Sequence, residues 1–178
     1  MGIIANLVTK FRVAMYNQEQ YIEYLRKQGA HIGKGCSIHK SVGFGDEGFL
    51  IFIDDNVRIT AGVRIIPHDG GLWTLRKMGI MPDADYFAPI HIGKNVHIGN
   101  DAVIMPGITI GENSVIGVGA IVTKDIPANS VAAGIPARVI ETIDEYYEKR
   151  KNVCDNTKHM NHHEKREYYS KKFGLEEK

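Results

Sequence analysis

Between Ile92 and Pro127 the apolar positions keep a period of six residues without a slip: Ile92, Ile98, Ile104, Ile110, Ile116 and Val122. Four residues after each member stand Val96, Ala102, Ile108, Ser114, Ala120 and Ile126, all small or apolar. Three residues after each stand Asn95, Asp101, Gly107, Asn113, Gly119 and Asp125, residue types that tolerate positive φ. Each hexad therefore predicts a short strand followed by a sharp corner. Neither the helical period nor the strand period puts one aliphatic at every sixth place, whereas a parallel β-helix with short faces does. If three hexads make one triangular coil, residues 18 apart stack about 4.8 Å above one another, and the aliphatic columns fill the prism as a continuous core.

The same pattern organises the rest of the chain. Residues 3–28 predict one or two amphipathic helices, with Ile3, Leu7, Phe11 and Met15 on one face and Tyr21, Ile22 and Leu25 on another, ended by Gly29. Their expected role is to cover the open end of the solenoid, which would otherwise expose unpaired backbone groups. Hexads begin at Ile32 and Ile38, lose phase over Phe44–Phe49, and resume at Ile53, Ile59 and Ile65. The Gly-rich break at Phe44–Phe49 is an excursion at a corner; it is either a plain bulge or the means by which Asp46 or Glu47 reaches a site. A second break follows Pro67, with His68 at the corner position and the long segment Asp69–Pro89 before the next in-phase residue. A loop of that length, carrying Trp73, Arg76, Met78, Tyr86 and Phe87, is expected to pack on something, in a homo-oligomer the neighbouring subunit. After the hexads, Ala128–Ile140 predicts a final coil closed by Pro136, residues 141–151 a helix, and Glu164–Phe173 a second helix in a polar tail. Three segments result: a helical cap over 1–29, the solenoid over 30–140 with its loop over 69–89, and a helical tail over 141–178.

Composition narrows the field. With 178 residues, 43% hydrophobic, the chain can bury a sizeable core, and a net charge of +1 offers no field to recruit nucleic acid or an anionic membrane. The segment Ile3–Val8 is too short for a signal-peptide core or a membrane span, and Asn6 leaves the myristoylation pattern unmet, so a cytoplasmic protein is expected. Cys36 and Cys154 lack metal-ligand spacing, and Cys36 falls in the inward column, where it reads as core filler. His159, His162 and His163 sit in the polar tail without acidic or cysteine partners at ligand spacing, so no metal is expected. His91 and His97 are expected to point outward on neighbouring faces, and no third histidine completes the set a zinc enzyme would need.

The hexad pattern, together with the loop His68–Lys77 and the run Gly119–Pro127 followed by Gly134–Ile140, resembles the hexapeptide-repeat acyltransferases, in particular their galactoside, maltose and xenobiotic acetyltransferase branch. The resemblance implies an all-β solenoid, a left-handed parallel β-helix. It also implies a homotrimer with active sites between subunits, and acetyl-coenzyme A as co-substrate. A histidine leading the extruded loop is the family's general base, and that position is His68, with Asp69 as a candidate to orient the ring. Chemistry agrees, since a neutral imidazole can take the proton of a hydroxyl attacking a thioester and return it to the departing thiolate. By the same resemblance Asn100, Val118, Thr123 and Lys124 contact the coenzyme, with Arg138 a candidate for its phosphates. Asp46, Glu47, Trp73 and Arg76 are the candidates to meet the acceptor. The expected activity is O-acetyl transfer to a saccharide of a surface or capsular polysaccharide or its precursor. The alternatives are N-acetylation of an amino sugar, O-acetylation of a xenobiotic, and a scaffold that has lost catalysis.

Overall fold

The computed structural model describes residues 11–175; the expected helical face through Ile3 and Leu7, and the segment containing Asn6, lie outside them. The strands are β1 (His31–Ile32), β2 (Ser37–Ile38), β3 (Ile51–Ile53), β4 (Arg58–Ile59), β5 (Arg64–Ile65), β6 (Ile90–Ile92), β7 (His97–Ile98), β8 (Val103–Ile104), β9 (Thr109–Ile110), β10 (Val115–Ile116), β11 (Ile121–Val122), β12 (Ser130–Ala133) and β13 (Arg138–Thr142). They sort into three sheets: β1-β3-β6-β9, then β2-β4-β7-β10-β12 with β13 at its edge, and β5-β8-β11. Apart from the β12–β13 pair, every strand pairing is parallel. From β6 to β11 consecutive strands visit the first, second and third sheets in turn, so the chain winds around a three-sided prism.

Register follows the spacing. Ile92 pairs with Ile110, Ile98 with Ile116 and Ile104 with Val122, each partner lying three hexads further along the chain. Earlier coils carry the two excursions, so the pairing of Ile32 with Ile53 spans more chain than three hexads, and that of Ile53 with Ile92 more again. All six members of the Ile92–Val122 column are at most 1% exposed, and they form one cluster with Ile38, Ile51, Ile59 and Ile65. Each such isoleucine removed from water contributes roughly 1.5–3 kcal/mol. Ser114, the one polar member of the second column, is fully buried and donates from Oγ to the carbonyls of Pro127 (3.0 Å) and Glu112 (3.2 Å). Asn95, Asp101, Gly107, Asn113 and Gly119 all take positive φ.

The last coil departs from the expected period. Ile126 bridges to Ile110, and Ile116 pairs with Ala132, both pairs closer in sequence than three hexads. Ile126 thus occupies a strand position four residues after Val122, because the residue before Pro127 is held extended. Asp125 accordingly does not take the positive φ of its column; its Oδ1 accepts the Thr109 backbone N–H instead (2.8 Å). The expected final coil is begun but not completed: β12 stacks parallel on β10, Ile121 N–H donates to Gly134 O (3.1 Å) and Ala137 N–H donates to Ile121 O (2.8 Å). After Gly134 the chain reverses, and β13 runs antiparallel to β12, from Ser130 opposite Thr142 to Ala133 opposite Arg138.

At the other end, residues 11–15 are helical and helix α1 spans Gln18–Lys27. Asn17 and Gln20 form a reciprocal capping box that starts α1 afresh. Tyr21, Ile22 and Leu25 are buried as the pattern predicts, but Phe11 (73%) and Met15 (74%) are exposed, while Val13 and Tyr16 pack on the core instead. The side chains of α1 satisfy the first coil's carbonyls: Arg26 donates to Ile32 O (2.9 Å) and Gly33 O (2.9 Å), and Gln18 to Ile38 O (2.9 Å). Cys36 is buried, and burial pushes its thiol up.

The chain divides into two compact units, Met1–Tyr146 and Tyr147–Lys178. Helix α2 (Leu72–Lys77) lies in the long loop, helix α3 (Ile143–Arg150) follows β13, and helix α4 (His162–Lys172) belongs to the second unit. Within that unit Asp155 accepts hydrogen bonds from Tyr168 (2.9 Å) and Lys172 (2.5 Å), which hold its carboxyl below the usual range, and Thr157 meets Tyr169 (3.2 Å). The polar tail is therefore internally bonded as well as helical. No helix among the described residues is long and apolar enough to cross a membrane.

Candidate active site

Three vertices join the sheets, and the predicted residues distribute over two of them. The vertex leading from the third sheet to the first is where both excursions leave the prism. Phe44–Leu50 precedes β3, the segment 66–89 separates β5 from β6, Met105–Ile108 follows β8, and Thr123–Asp125 follows β11.

His68 stands at the base of the long loop rather than at its tip. The loop leaves and returns as a short antiparallel pair: His68 bridges to Phe87, Asp69 N–H donates to Tyr86 O (3.0 Å), and Ala88 N–H donates to Pro67 O (2.9 Å). This footing fixes the backbone of His68 while leaving its side chain 42% exposed. The imidazole Nδ1 lies 3.3 Å from Glu47 Oε2, and the Phe87 ring sits against it at 5.9 Å and 58°. Glu47 comes from the first excursion, which the sequence marked by its glycines; it meets the imidazole, a contact that sequence spacing does not reveal. Asp69, the expected orienter of the ring, is committed elsewhere: its Oδ1 accepts the Gly71 N–H (2.8 Å) and closes an Asx turn. Asp46 is exposed on the same excursion as Glu47.

The loop itself contains α2, a helix with no buried residue and hence no apolar period for sequence reading to detect. Arg76, expected to meet the acceptor, instead ties the loop together, donating to Ala84 O (2.6 Å) and pairing with Asp85 (2.7 Å). Trp73 is 59% exposed, with the Lys77 ammonium 5.8 Å from its ring. Met78, Ile80, Met81, Tyr86 and Phe87 are exposed with it.

Thr123 and Lys124 are exposed on this same vertex, two coils beyond His68. Asn100, Val118 and Arg138 are not. Asn100 and Val118 lie on the vertex between the second and third sheets, stacked in successive coils with Gly119 N–H donating to Asn100 O (2.8 Å), and Val118 is 73% exposed. Arg138 opens β13 at the same edge, its Nη1 donating to Ala137 O (2.8 Å). The third sheet stands between the two groups.

The remaining histidines face outward. His31, Phe52 and His91 stack as a ladder on the first sheet (4.4 and 4.7 Å). His97 is half-buried on the second sheet, where burial first, and the charge of Arg58 second, push its pKa down. Among the described residues no three metal-ligating side chains converge.

Residues 89–124 match the family model described as bacterial transferase hexapeptide (six repeats). Protein CapG of Staphylococcus aureus is 44% identical over 152 residues, covering 84% of this chain and 87% of that protein. The galactoside O-acetyltransferase of Escherichia coli (strain K12) is 46% identical over 121 residues, covering 65% of this chain and 55% of the relative. A solved galactoside acetyltransferase in complex with coenzyme A superposes with a TM-score of 0.52 at 30% identity, covering 82% of each chain.

Proposed function

The chain belongs to the bacterial transferase hexapeptide family, and from that membership we propose how its residues carry out acetyl transfer. It is an acetyltransferase that draws its acetyl group from acetyl-coenzyme A and delivers it to a sugar hydroxyl. His68 is the general base. Its imidazole takes the proton as the hydroxyl oxygen attacks the thioester carbonyl; the tetrahedral intermediate then expels the thiolate, which recovers that proton from the imidazolium, leaving an acetyl ester and coenzyme A. The observation that carries this reading is the footing of His68: a half-exposed imidazole on a backbone pinned by the loop's antiparallel base, with one ring nitrogen already engaged.

The prism is a left-handed β-helix, and three copies assemble around an axis. The division of the coenzyme candidates between two vertices supports this assembly. Pointing the third sheet at a threefold axis brings His68, Thr123 and Lys124 of one copy beside Asn100, Val118 and Arg138 of the next. The exposed apolar side chains of the long loop supply further surface for that contact. The acceptor is a saccharide of a surface polysaccharide or its precursor, and the site of action is cytoplasmic, where a coenzyme A thioester is available.

His68→Ala is expected to cut turnover by about 10² or more while the fold survives, and near-normal turnover rejects the assignment. Acetyl-coenzyme A is expected to raise the melting temperature of both wild type and variant; no shift at millimolar ligand favours a scaffold without catalysis.

A further inference from the structure

We propose that Glu47 is the positioning residue of His68: its carboxylate accepts the Nδ1–H, selects that neutral tautomer, and leaves the Nε2 lone pair as the base. This rests on the reading of His68 given above and deepens it by naming the atom that takes the proton.

Four observations converge on it. Glu47 Oε2 is 3.3 Å from Nδ1, and the Glu47 side chain is only 20% exposed against 42% for the histidine, so the carboxylate lies on the inner side of the ring. The neighbouring carboxylate of Asp69 is spent on the Gly71 N–H and is no competitor. Glu47 is anchored at its own backbone, where its carbonyl accepts the Leu50 N–H (2.9 Å) at the start of a short 3-10 turn, Gly48–Leu50. Finally, Gly45 leaves room for the carboxylate: a Cβ there would come 2.9 Å from Glu47 Oε2, and the backbone φ of 64° is one that glycine adopts without cost. The excursion at Phe44–Leu50 is thus shaped around the position of one side-chain oxygen.

The physical consequence is a tautomer choice. In a neutral imidazole one nitrogen donates and the other accepts, and the partner of the first decides which is free for chemistry. A carboxylate has no proton to give, so Nδ1 must be the donor. The Nδ1–Oε2 separation of 3.3 Å is long for a hydrogen bond to an ionised carboxylate and leaves room for the contact to tighten. When the hydroxyl proton arrives on Nε2, the imidazolium faces an anion and the bond gains strength. An interaction that strengthens only as charge develops appears in kcat and not in ground-state binding.

The experiment compares Glu47→Ala, Glu47→Asp and Glu47→Gln with His68→Ala. Glu47→Ala is expected to lower kcat about tenfold to a hundredfold with the KM for acetyl-coenzyme A unchanged, and Glu47→Asp to recover part of the loss. Nitrogen-15 spectra of the imidazole are expected to show the His68 proton on Nδ1 in wild type and its displacement in Glu47→Ala. Should Glu47→Ala lower the melting temperature enough to blur the kinetics, Glu47→Gln keeps the side-chain shape and an acceptor oxygen while removing the charge, and is expected to lower kcat by a smaller factor than Glu47→Ala. Unchanged kcat in Glu47→Ala or Glu47→Gln, or a wild-type ring protonated at Nε2, overturns the proposal. If His68→Ala is inactive while Glu47→Ala is fully active, only the role of Glu47 falls; if His68→Ala retains turnover, the base assignment falls with it.

Discussion

The vertex between the first and second sheets and the vertex between the third and the first occupy equivalent places on one prism, yet their polar groups are employed differently. At the former, Asn56, Asn95, Asn113 and Asn129 sit in successive coils at φ of 59°, 59°, 55° and 57°. Asn95 donates through its side-chain amide to Asn113 (3.0 Å) and Asn113 to Asn129 (3.0 Å), while the backbone N–H of Asn113 meets Lys94 O (2.9 Å). The corner amides are thus turned upon one another, coil to coil. At the latter vertex the chain twice leaves the coil, and the side chains it brings back, Glu47 and His68, meet each other with the imidazole still half-open. The half-open pair arises where the repeat is interrupted, whereas the asparagine corners use their hydrogen-bonding capacity to stack the next coil.

One substitution made at both vertices sharpens the contrast. Gly111→Ala, at the regular vertex, would place a Cβ 2.3 Å from the Ala128 backbone nitrogen of the next coil, a contact no flexible side chain can relieve. It is expected to cost about 3 kcal/mol of stability, read as a lowered denaturation midpoint; an unchanged midpoint would mean that the coils are not tightly stacked there. Gly45→Ala meets only the end of the Glu47 side chain, together with the strain of positive φ. Its expected cost is smaller, about 1–2 kcal/mol, but turnover falls with it because the carboxylate must move; full turnover in a folded Gly45→Ala would argue that the excursion is mere structure.

The smallest effect concerns His97, which follows the regular vertex and has no part in the proposed chemistry. Its pKa is depressed in the folded chain, chiefly by burial. As pH falls below the reference imidazole value of about 6.5, the unfolded chain takes up a proton that the folded chain resists. Stability therefore declines from that pH down to the lower folded value and levels off beneath it. His97→Gln is expected to flatten this decline with turnover unaltered, as measured by denaturant melts from pH 7.5 to 5. An identical slope in the variant would remove His97 as the cause.

Much of the architecture is legible in residue order, for a local reason. A corner residue at positive φ and an aliphatic three places earlier are properties of one hexad, so Ile98, Asn95 and Asn113 declare their roles without reference to distant chain. The same logic located both excursions, since Phe44 and His68 mark the points at which the period fails. A conflict between local signals explains the last coil, where the extended residue before Pro127 shortened the corner that the hexad count required. The partial burial of Val13 and Tyr16 in place of Phe11 and Met15 followed from how residues 11–16 lie on the core, which no periodicity within so short a stretch could fix.

The prism and its core are legible in residue order because they recur every six residues, and the points of departure are legible as failures of that period. That Glu47 rather than Asp69 meets His68, that Arg76 is consumed within its own loop, and that the coenzyme candidates fall on two edges of the prism came from three-dimensional packing. Those outcomes depend on which coils come to lie side by side, and two insertions of unequal length set that registration for side chains distant in sequence.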